Sequence, residues 1–289
     1  MGISIIICTY NSSDLLKRCL ISLSKVNDQY VDYEILIVDN NSNDNTKEVT
    51  EIFKKLNSKI SYNFFPNQGL AKARNFGLSI ASKEYILFTD DDITFDKDFL
   101  KAYEKLIKTK SPGMAGGRIL LKYNSKRPNW LSDKVDFIYG WYDNGSKTTL
   151  YPLNSYPLGP SFLLKKSLLS KLGVFNPSLG LSGTKETVLR GEETDLAVRF
   201  RNNGILQYYC GESLVYHNVS EKRLNKEWFI ARFANAGMVF EGLNYKNYSI
   251  FCIKCFLSKL LEVFYKKDPK KHFYFKCKYQ YFKNILRNK

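Results

Sequence analysis

Three adjacent carboxylates interrupt the stretch ILFTDDDITFD, which runs from Ile86 to Asp96. Like charges this close repel one another, so Asp90, Asp91 and Asp92 need either full solvation or a cation. Because side chains alternate along an extended chain, Asp90 and Asp92 are predicted to point one way and Asp91 the other. Two carboxylates on one side suit a hard divalent cation, Mg²⁺ or Mn²⁺, which also binds phosphate oxygens.

An alternative role for the aspartates is to cap the helix expected to begin near Lys97. Asp96 lies much closer to that helix, which favours the cation-binding interpretation. The sequence contains neither a GxGxxG motif after its first apolar run nor a GxxxxGK[ST] motif. Motifs of that kind hold phosphates through backbone N–H groups. A phosphate-bearing ligand would therefore have to be held by a metal and by side chains.

The elements that must position these side chains are indicated by the first hundred or so residues. Short apolar runs alternate there with segments of helical period, which is typical of βαβ units around a parallel sheet. Such strands end at one edge of the sheet, where open α/β folds bind ligands. Thr9, Asp39 and Asp90 follow three predicted strands and are expected to converge on one crevice. The predicted strands are 4–8, 34–38, 60–65 and 84–88.

The net charge separates a nearly neutral body from a basic tail. The chain has 289 residues and a formal charge of +16, of which residues 222–289 contribute +12. Whatever this charge serves is therefore local to the tail. The tail is aromatic and helical in period, and one helix face is predicted to carry Ile250, Ile253, Leu257, Leu260 and Phe264.

Two interpretations of the tail are open. Lysines beside an apolar helix face are typical of a segment that lies on an anionic membrane surface. The same period suits a helical pair packed on the domain with a solvated basic rim. The lysines concerned are Lys254, Lys259, Lys266 and Lys267.

No apolar stretch is long enough to predict a transmembrane helix, and the N-terminus does not resemble a signal peptide. Six cysteines without a disulfide framework predict reduced thiols. The expected location is cytoplasmic, with a peripheral position on the inner face of the membrane if the tail binds lipid.

The chain resembles the family 2 glycosyltransferases, which are nucleotide-sugar-dependent inverting enzymes with the GT-A fold. The motifs that carry the resemblance occur in the family's order: SIIICTYN, EILIVDNNSNDNT, NQGLAKARNFGLSIASKEYILFTDDD, LGPSFLLKKSLLSKLGVFNPSLG, GEETDLAVRFRNNG and LVYHN. The resemblance implies an α/β fold with a Rossmann-like, mostly parallel central sheet flanked by helices. The helical, basic C-terminal extension lies outside the resemblance.

This resemblance implies metal-assisted transfer of a sugar, with inversion, from a UDP-, GDP- or dTDP-sugar to a glycan or lipid-linked acceptor, in the synthesis of a cell-surface polysaccharide or glycoconjugate. The chain is expected to divide into three parts. Residues 1–110 would bind the donor, residues 111–220 would bind the acceptor and carry the catalytic base, and residues 221–289 would form the helical tail.

The donor half carries residues to which the resemblance assigns roles. Thr9 and Tyr10 would close over the nucleoside, and Asp39 would accept a hydrogen bond from the base or the ribose. Arg74 and Asn75 would line the donor pocket.

Within the aspartate triplet, the resemblance implies that Asp92 coordinates Mn²⁺ or Mg²⁺. Asp90 would approach the ribose or the metal-bound water, and Asp91 would belong to the donor-binding set. His217 matches a histidine that in related enzymes can bind the metal or the diphosphate. A hydrogen-bonding or core role for this histidine stays open.

The second half would supply the base and the acceptor site. Glu193 occupies the general-base position, but the pair Glu192-Glu193 leaves the base open between the two residues. A carboxylate at a helix N-terminus could also simply complement the helix dipole. The expected acceptor-binding residues, for which a core role is equally open, are Trp130, Trp141 and Tyr142, with Arg118 as a phosphate or acceptor contact.

Two other classes of protein would account for parts of the sequence. A sugar nucleotidylyltransferase would also use an α/β sheet and Mg²⁺, but SIIICTYNSSD lacks the glycine-rich phosphate loop of such enzymes. A non-catalytic basic module for nucleic acid or anionic lipid would account for the tail. The aspartate triplet and the glutamate pair argue against nucleic acid as a partner of the whole chain.

Overall fold

The structure is a computed structural model and describes residues 2–29, 31–180, 191–238 and 248–287. Among these residues the strands are β1 (Gly2–Thr9), β2 (Asp32–Asp39), β3 (Ile60–Phe64), β4 (Tyr85–Asp90), β5 (Ile93–Phe95), β6 (Met114–Tyr123), β7 (Thr148–Leu150), β8 (Phe162–Lys165) and β9 (Gln207–Val219).

The α-helices within the same ranges are α1 (Ser13–Leu23), α2 (Thr46–Leu56), α3 (Leu70–Ile80), α4 (Phe99–Lys110), α5 (Leu169–Leu172), α6 (Glu192–Asn202), α7 (Lys226–Met238), α8 (Tyr248–Phe264) and α9 (Pro269–Arg287). Short 3-10 helices cover Asp133–Tyr139, Gly159–Ser161, Lys166–Leu168 and Glu221–Leu224.

The strands form one sheet in the order β3-β2-β1-β4-β8-β6-β9-β5, with β7 paired to β9. The first four strands are parallel, and the pairs β4 with β8, β6 with β8, β5 with β9 and β7 with β9 are antiparallel. Helices follow the parallel strands, so the predicted α/β fold with a parallel central sheet flanked by helices is confirmed.

The alternation of side chains along β1 explains why helices cover the sheet on two faces. Ile5 and Ile7 belong to one buried cluster, which also contains residues of α1 and α4. Ile6 belongs to the other cluster, with residues of α3 and α6. A strand buried on both faces reads as a continuous apolar run, which is the pattern of ISIIIC near the N-terminus.

The start of α4 differs from the prediction. The helix begins at Phe99 with Asp98 as its N-cap residue, rather than with Asp96. Asp96 instead accepts a hydrogen bond from the backbone N–H of Asp98 at 3.0 Å. Asp96 therefore supports the turn before the helix. The N-cap position belongs to Asp98, which is farther from the triplet than Asp96 is.

The described residues fall into two compact units. The first takes those within 1–120, 142–186 and 191–217, and the second takes those within 121–141 and 218–289. The expected division at residues 110 and 220 concerns which ligand each part of the chain binds, so it stays a prediction. The core of the second unit includes Leu131, Val135, Phe229, Phe273 and Cys277.

The tail of the second unit is helical, as predicted. Its helices α8 and α9 pack against each other, and the ring centroids of Phe251 and Phe282 lie 6.2 Å apart. Among the residues that the structure describes, none of the helices combines the length and the apolar character needed to span a bilayer.

Candidate active site

The aspartate triplet forms a turn rather than an extended strand. Asp90 is the last residue of β4, Asp91 and Asp92 make the turn, and Ile93 begins β5. The prediction that Asp90 and Asp92 lie on one side assumed that all three aspartates continue the strand, and this assumption is wrong. Each of the three carboxylates has a different partner, because a turn sends successive side chains in different directions.

Asp91 and Asp92 are held by residues from distant parts of the chain. The Thr9 hydroxyl donates to Asp91 Oδ2 at 2.7 Å, which joins the ends of β1 and β4. His217 Nε2 lies 3.1 Å from Asp92 Oδ1, and both side chains are buried. The antiparallel register of β5 with β9 pairs His217 with Ile93, next to Asp92, so sheet pairing brings the two together.

Arg74 is the buried cation of the site. It lies on α3 and is 2% exposed. Its Nη1 lies 2.7 Å from Oε1 of both Glu192 and Glu193, and its Nη2 lies 3.4 Å from Asp90 Oδ1. The expected glutamate pair begins α6, and Arg74 connects that pair to the aspartate turn.

Burial and charge set different proton affinities for the two glutamates. Burial raises the pKa of Glu192 to about 7, with the Glu193 charge adding to the rise and Arg74 opposing it. Burial also acts to raise the pKa of Glu193, but the Arg74 charge and hydrogen bonds to the carboxylate together outweigh it, and the pKa lies below its ordinary value. At neutral pH Glu193 is therefore the more fully ionised carboxylate, and its side chain is 20% exposed against 3% for Glu192.

Burial has the same kind of effect on the neighbouring groups. Burial opposes the charged form of Arg74, but Glu193 and Glu192 raise the pKa of the guanidinium above its ordinary range. Burial raises the pKa of Asp90, with Arg74 opposing the rise and Asp92 adding to it. The cluster thus carries several carboxylates around one buried cation, a surplus of negative charge that a bound cation would reduce.

A glycine that sequence reasoning missed lies against this cluster. A Cβ atom on Gly159 would lie 2.5 Å from Glu193 Oε1 and 2.9 Å from Arg74 Nη2. The segment is tied to the sheet, because the buried Thr89 hydroxyl donates to the carbonyl of Pro160 at 2.9 Å. The glycine-proline pair of LGPS marks a turn or loop, but it does not indicate which residues that turn contacts.

A polar cleft of about 530 Å³ lies at the ends of β2 and β3 and is lined by Asp39, Ser42, Lys47, Tyr62 and Phe64 among others. Asp39 Oδ1 accepts from the backbone N–H of Ser42 at 2.9 Å, and Oδ2 accepts from the Tyr62 hydroxyl at 2.7 Å. Asp39 stands opposite Thr9 in the register of β1 with β2. The predicted convergence of Thr9, Asp39 and Asp90 at one sheet edge is confirmed.

Other donor-side residues are distributed around this edge. Asn40 was not among the predicted site residues. Its side-chain oxygen accepts a hydrogen bond from the backbone N–H of Gly69 at 2.8 Å, and its side-chain nitrogen donates to the carbonyl of Asn67 at 3.0 Å. Asn75 exchanges hydrogen bonds with the backbone of Phe175, so its side chain fixes a loop. Tyr10 is 40% exposed.

The four expected acceptor residues are not gathered in one unit. Arg118 makes an ion pair of 2.8 Å with Asp143 in the first unit, where Tyr142 packs on Tyr151. Trp141 belongs to the second unit and is 38% exposed. Trp130 lies in the second unit with its ring centroid 4.4 Å from that of Phe273. Their role in acceptor binding stays a prediction.

The side chains around the aspartate turn could hold a divalent cation only if a bound ligand supplied further oxygen atoms to the metal. Within the described residues, no group of three or more His, Cys, Asp or Glu side chains forms a ready-made metal site. The carboxylate oxygens of Asp90 and Asp92 are nevertheless suitable ligands for Mn²⁺ or Mg²⁺, and His217 adds an imidazole nitrogen beside them. A diphosphate would complete the coordination with its own oxygens.

The fold is that of the GT-A glycosyltransferases. A mannosyltransferase from Pyrobaculum calidifontis, solved with GDP-Man and Mn²⁺, matches with a TM-score of 0.59 over 82% of this chain and 62% of that chain, at 19% identity. Residues 1–349 of TarS from S. aureus, solved with UDP-GlcNAc, match with a TM-score of 0.58 over 99% of this chain and 90% of that one, at 19% identity. Similarity at this level concerns the fold.

The family is given by the sequence. The sequence model of the family described as Glycosyl transferase family 2 matches residues 4–173, which is more than half of the chain. This chain belongs to that family.

Curated relatives match this chain to different extents. TarS, the poly(ribitol-phosphate) beta-N-acetylglucosaminyltransferase of Staphylococcus aureus strain Mu50, is 36% identical over 102 residues, which is 35% of this chain and 18% of that protein. The succinoglycan biosynthesis protein ExoM of Rhizobium meliloti is 26% identical over 241 residues, 82% of this chain and 73% of that protein. The match thus spans less than a fifth of TarS and most of ExoM.

Proposed function

We propose that this chain transfers a sugar, with inversion, from a UDP-, GDP- or dTDP-sugar to the hydroxyl group of a glycan or lipid-linked acceptor. The single observation that supports this most strongly is the cluster formed by Arg74 with Glu192 and Glu193 beside the aspartate turn. It supplies an ionised carboxylate next to the aspartates that would hold a divalent cation. Family membership supports the same conclusion.

Glu193 is the proposed general base. An inverting transfer needs a carboxylate that removes the proton of the acceptor hydroxyl as this hydroxyl attacks the anomeric carbon. Glu193 is ionised at neutral pH because its pKa is lowered, and its side chain is partly exposed. Glu192, which is almost fully buried and has a pKa of about 7, is the proposed positioning partner.

The donor is proposed to lie along the edge formed by β1, β2 and β4. Asp39 would accept a hydrogen bond from the base or the ribose, with Thr9 and Tyr10 near the nucleoside. Asp92, Asp90 and His217 would hold Mn²⁺ or Mg²⁺, and Asp91, which accepts from Thr9, would orient the nucleoside side of the turn. The cation, when bound, supplies Lewis-acid stabilisation for the charge on the leaving diphosphate.

The acceptor is proposed to be a cell-surface polymer or its lipid-linked precursor. TarS is described as acting on poly(ribitol-phosphate), and ExoM as a protein of succinoglycan biosynthesis. Trp141, Tyr142, Trp130 and Arg118 stay the candidates for acceptor contacts. A cytoplasmic location is proposed with this function, because the six cysteines lack a disulfide framework.

A binding screen tests the proposal. Purified protein is titrated with UDP, GDP, dTDP and the corresponding nucleotide sugars, with and without Mn²⁺, and the unfolding temperature is followed. We expect one nucleoside diphosphate to raise the unfolding temperature only when Mn²⁺ is present. The matched variant Asp39→Asn should lose this shift. Absence of any metal-dependent shift across the whole panel would contradict the proposal.

A further inference from the structure

The helix α8 exposes six large apolar side chains along one side. Their exposed fractions range from 49% for Leu257 to 78% for Phe264. At about 100° per residue, these positions fall within an arc of about 120°. The members of this apolar face of α8 are Ile253, Phe256, Leu257, Leu260, Val263 and Phe264.

The opposite side of α8 packs against α9. Ser258 and Glu262 are 4% and 8% exposed there, and the ring of Phe251 contacts that of Phe282. These buried positions lie half a helical turn away from the apolar face. The helix is therefore held by its other side, and substitutions on the apolar face should leave the pair of helices folded.

Lysines lie on both sides of the apolar face and just beyond its end, in a tail that is basic throughout. Residues 248–287 contain ten Lys or Arg and two acidic residues. Both acidic side chains lie close to a lysine, Glu262 at 2.9 Å from Lys259 and Asp268 at 3.6 Å from Lys271. By helical period the exposed lysines of α8 lie on either side of the face. The lysines next to the face or just beyond its end are Lys254, Lys259, Lys266 and Lys267.

We propose that the apolar face of α8 docks on an anionic membrane surface. Large apolar side chains on one helix side enter the boundary between headgroups and acyl chains, and flanking lysines contact the lipid phosphates. The charge selects this occupant, because a second copy of the same helix would bring positive charges together. The surface belongs to the second unit, and the proposal does not depend on the glycosyltransferase activity.

Vesicle sedimentation with the full chain tests the proposal, without any nucleotide or sugar. Vesicles of phosphatidylcholine with about 30% phosphatidylglycerol are compared with pure phosphatidylcholine. We expect binding to the anionic vesicles, weakened by salt. The variant Phe256→Ser/Leu260→Ser/Phe264→Ser should bind more than about tenfold more weakly.

A matched control carries three serines at exposed apolar positions of the first unit: Ile52→Ser/Leu56→Ser/Leu153→Ser, which are 58%, 77% and 82% exposed. This control should bind vesicles like the wild-type chain. The single variant Phe264→Ser, at the end of α8, provides a milder test if the triple variant unfolds. A further variant, Lys254→Gln/Lys266→Gln/Lys267→Gln, should remove the preference for anionic vesicles.

Two results would overturn the proposal. One is equal vesicle binding by the wild-type chain and the apolar-face variant. The other is a wild-type dimer in analytical ultracentrifugation that the apolar-face variant converts to a monomer, since the face would then bind a second copy.

Discussion

Arg74 Nη1 lies 2.7 Å from Glu193 Oε1, although 119 positions separate the two residues in the chain. The same nitrogen contacts Glu192 at 2.7 Å, so one buried cation serves two carboxylates. Burial and the Glu193 charge raise the pKa of Glu192 to about 7, while Arg74 and hydrogen bonds lower the pKa of Glu193, so the pair titrates unevenly. This asymmetry distinguishes the two candidate bases experimentally.

The pH dependence of turnover is the first prediction. If Glu193 is the base, kcat should persist below pH 7 and fall only below the ordinary glutamate pKa of 4.5, because the pKa of Glu193 is lowered. The Glu192→Gln variant should keep this acidic limb. A tenfold loss per pH unit below about pH 7 in the wild-type chain, together with loss of turnover in Glu192→Gln, would identify Glu192 as the base instead.

The buried ion pair predicts a large stability effect. Arg74→Met leaves two buried carboxylates without their cation, which should cost about 3–5 kcal/mol in the free energy of unfolding. Urea denaturation at pH 8, where both glutamates are ionised in the folded wild type, measures the loss. Adding Glu192→Gln and Glu193→Gln to Arg74→Met should recover most of it.

Lys105→Met is the control, because the Lys105 and Glu212 side chains, 2.9 Å apart, are 64% and 44% exposed. Solvent screens this pair, so its loss should cost no more than about 1 kcal/mol. Equal losses for Arg74→Met and Lys105→Met would show that the Arg74 cluster does not act as a buried ion pair.

Metal binding is predicted to depend on Asp92. Asp92→Asn should weaken Mn²⁺ binding in the presence of the preferred nucleoside diphosphate by at least about tenfold. Isothermal titration calorimetry measures this affinity, and Asp96→Asn is the control, since Asp96 supports the turn before α4. Wild-type affinity in Asp92→Asn would assign the metal to other residues.

Gly159 is predicted to be intolerant of a side chain. Gly159→Ala would push against Glu193 and Arg74, and displacement of a base by about 1 Å can cost about a hundredfold in rate. The measurement is kcat. The control Gly113→Ala crowds Ile205 and Leu168 instead, so it should lower stability and leave kcat close to the wild-type value. Equal kcat values for the two variants would contradict this role of Gly159.

Much of the sheet edge formed by β1, β2 and β4 could be predicted from the sequence, because parallel strands bring their carboxyl ends together. Thr9, Asp39 and Asp90 needed only strand assignment, because each lies at or just after the end of a predicted strand. The role of Arg74 could not be predicted in this way, since its partners lie more than a hundred positions away and depend on how α3 and α6 pack on the sheet.

The aspartate turn shows a second limit. Three aspartates after an apolar run do not indicate whether the strand continues, and only the pairing of β5 with β9 fixes the turn. Long-range sheet pairing also determines that His217 faces Asp92. The tail shows a third limit. Its amphipathic period predicts an apolar helix face, but it does not indicate whether another helix covers that face.

The most direct test of the central claim is the release of nucleoside diphosphate by the wild-type chain and by Glu193→Gln. The assay contains Mn²⁺, the nucleotide sugar identified by the binding screen and an acceptor glycan. We expect Glu193→Gln to keep donor binding and to lose about 10²–10⁴-fold in kcat, and Glu192→Gln to lose less. We also expect the product to have the opposite anomeric configuration to the donor. Wild-type turnover by Glu193→Gln, or a product with the donor's configuration, would contradict the account.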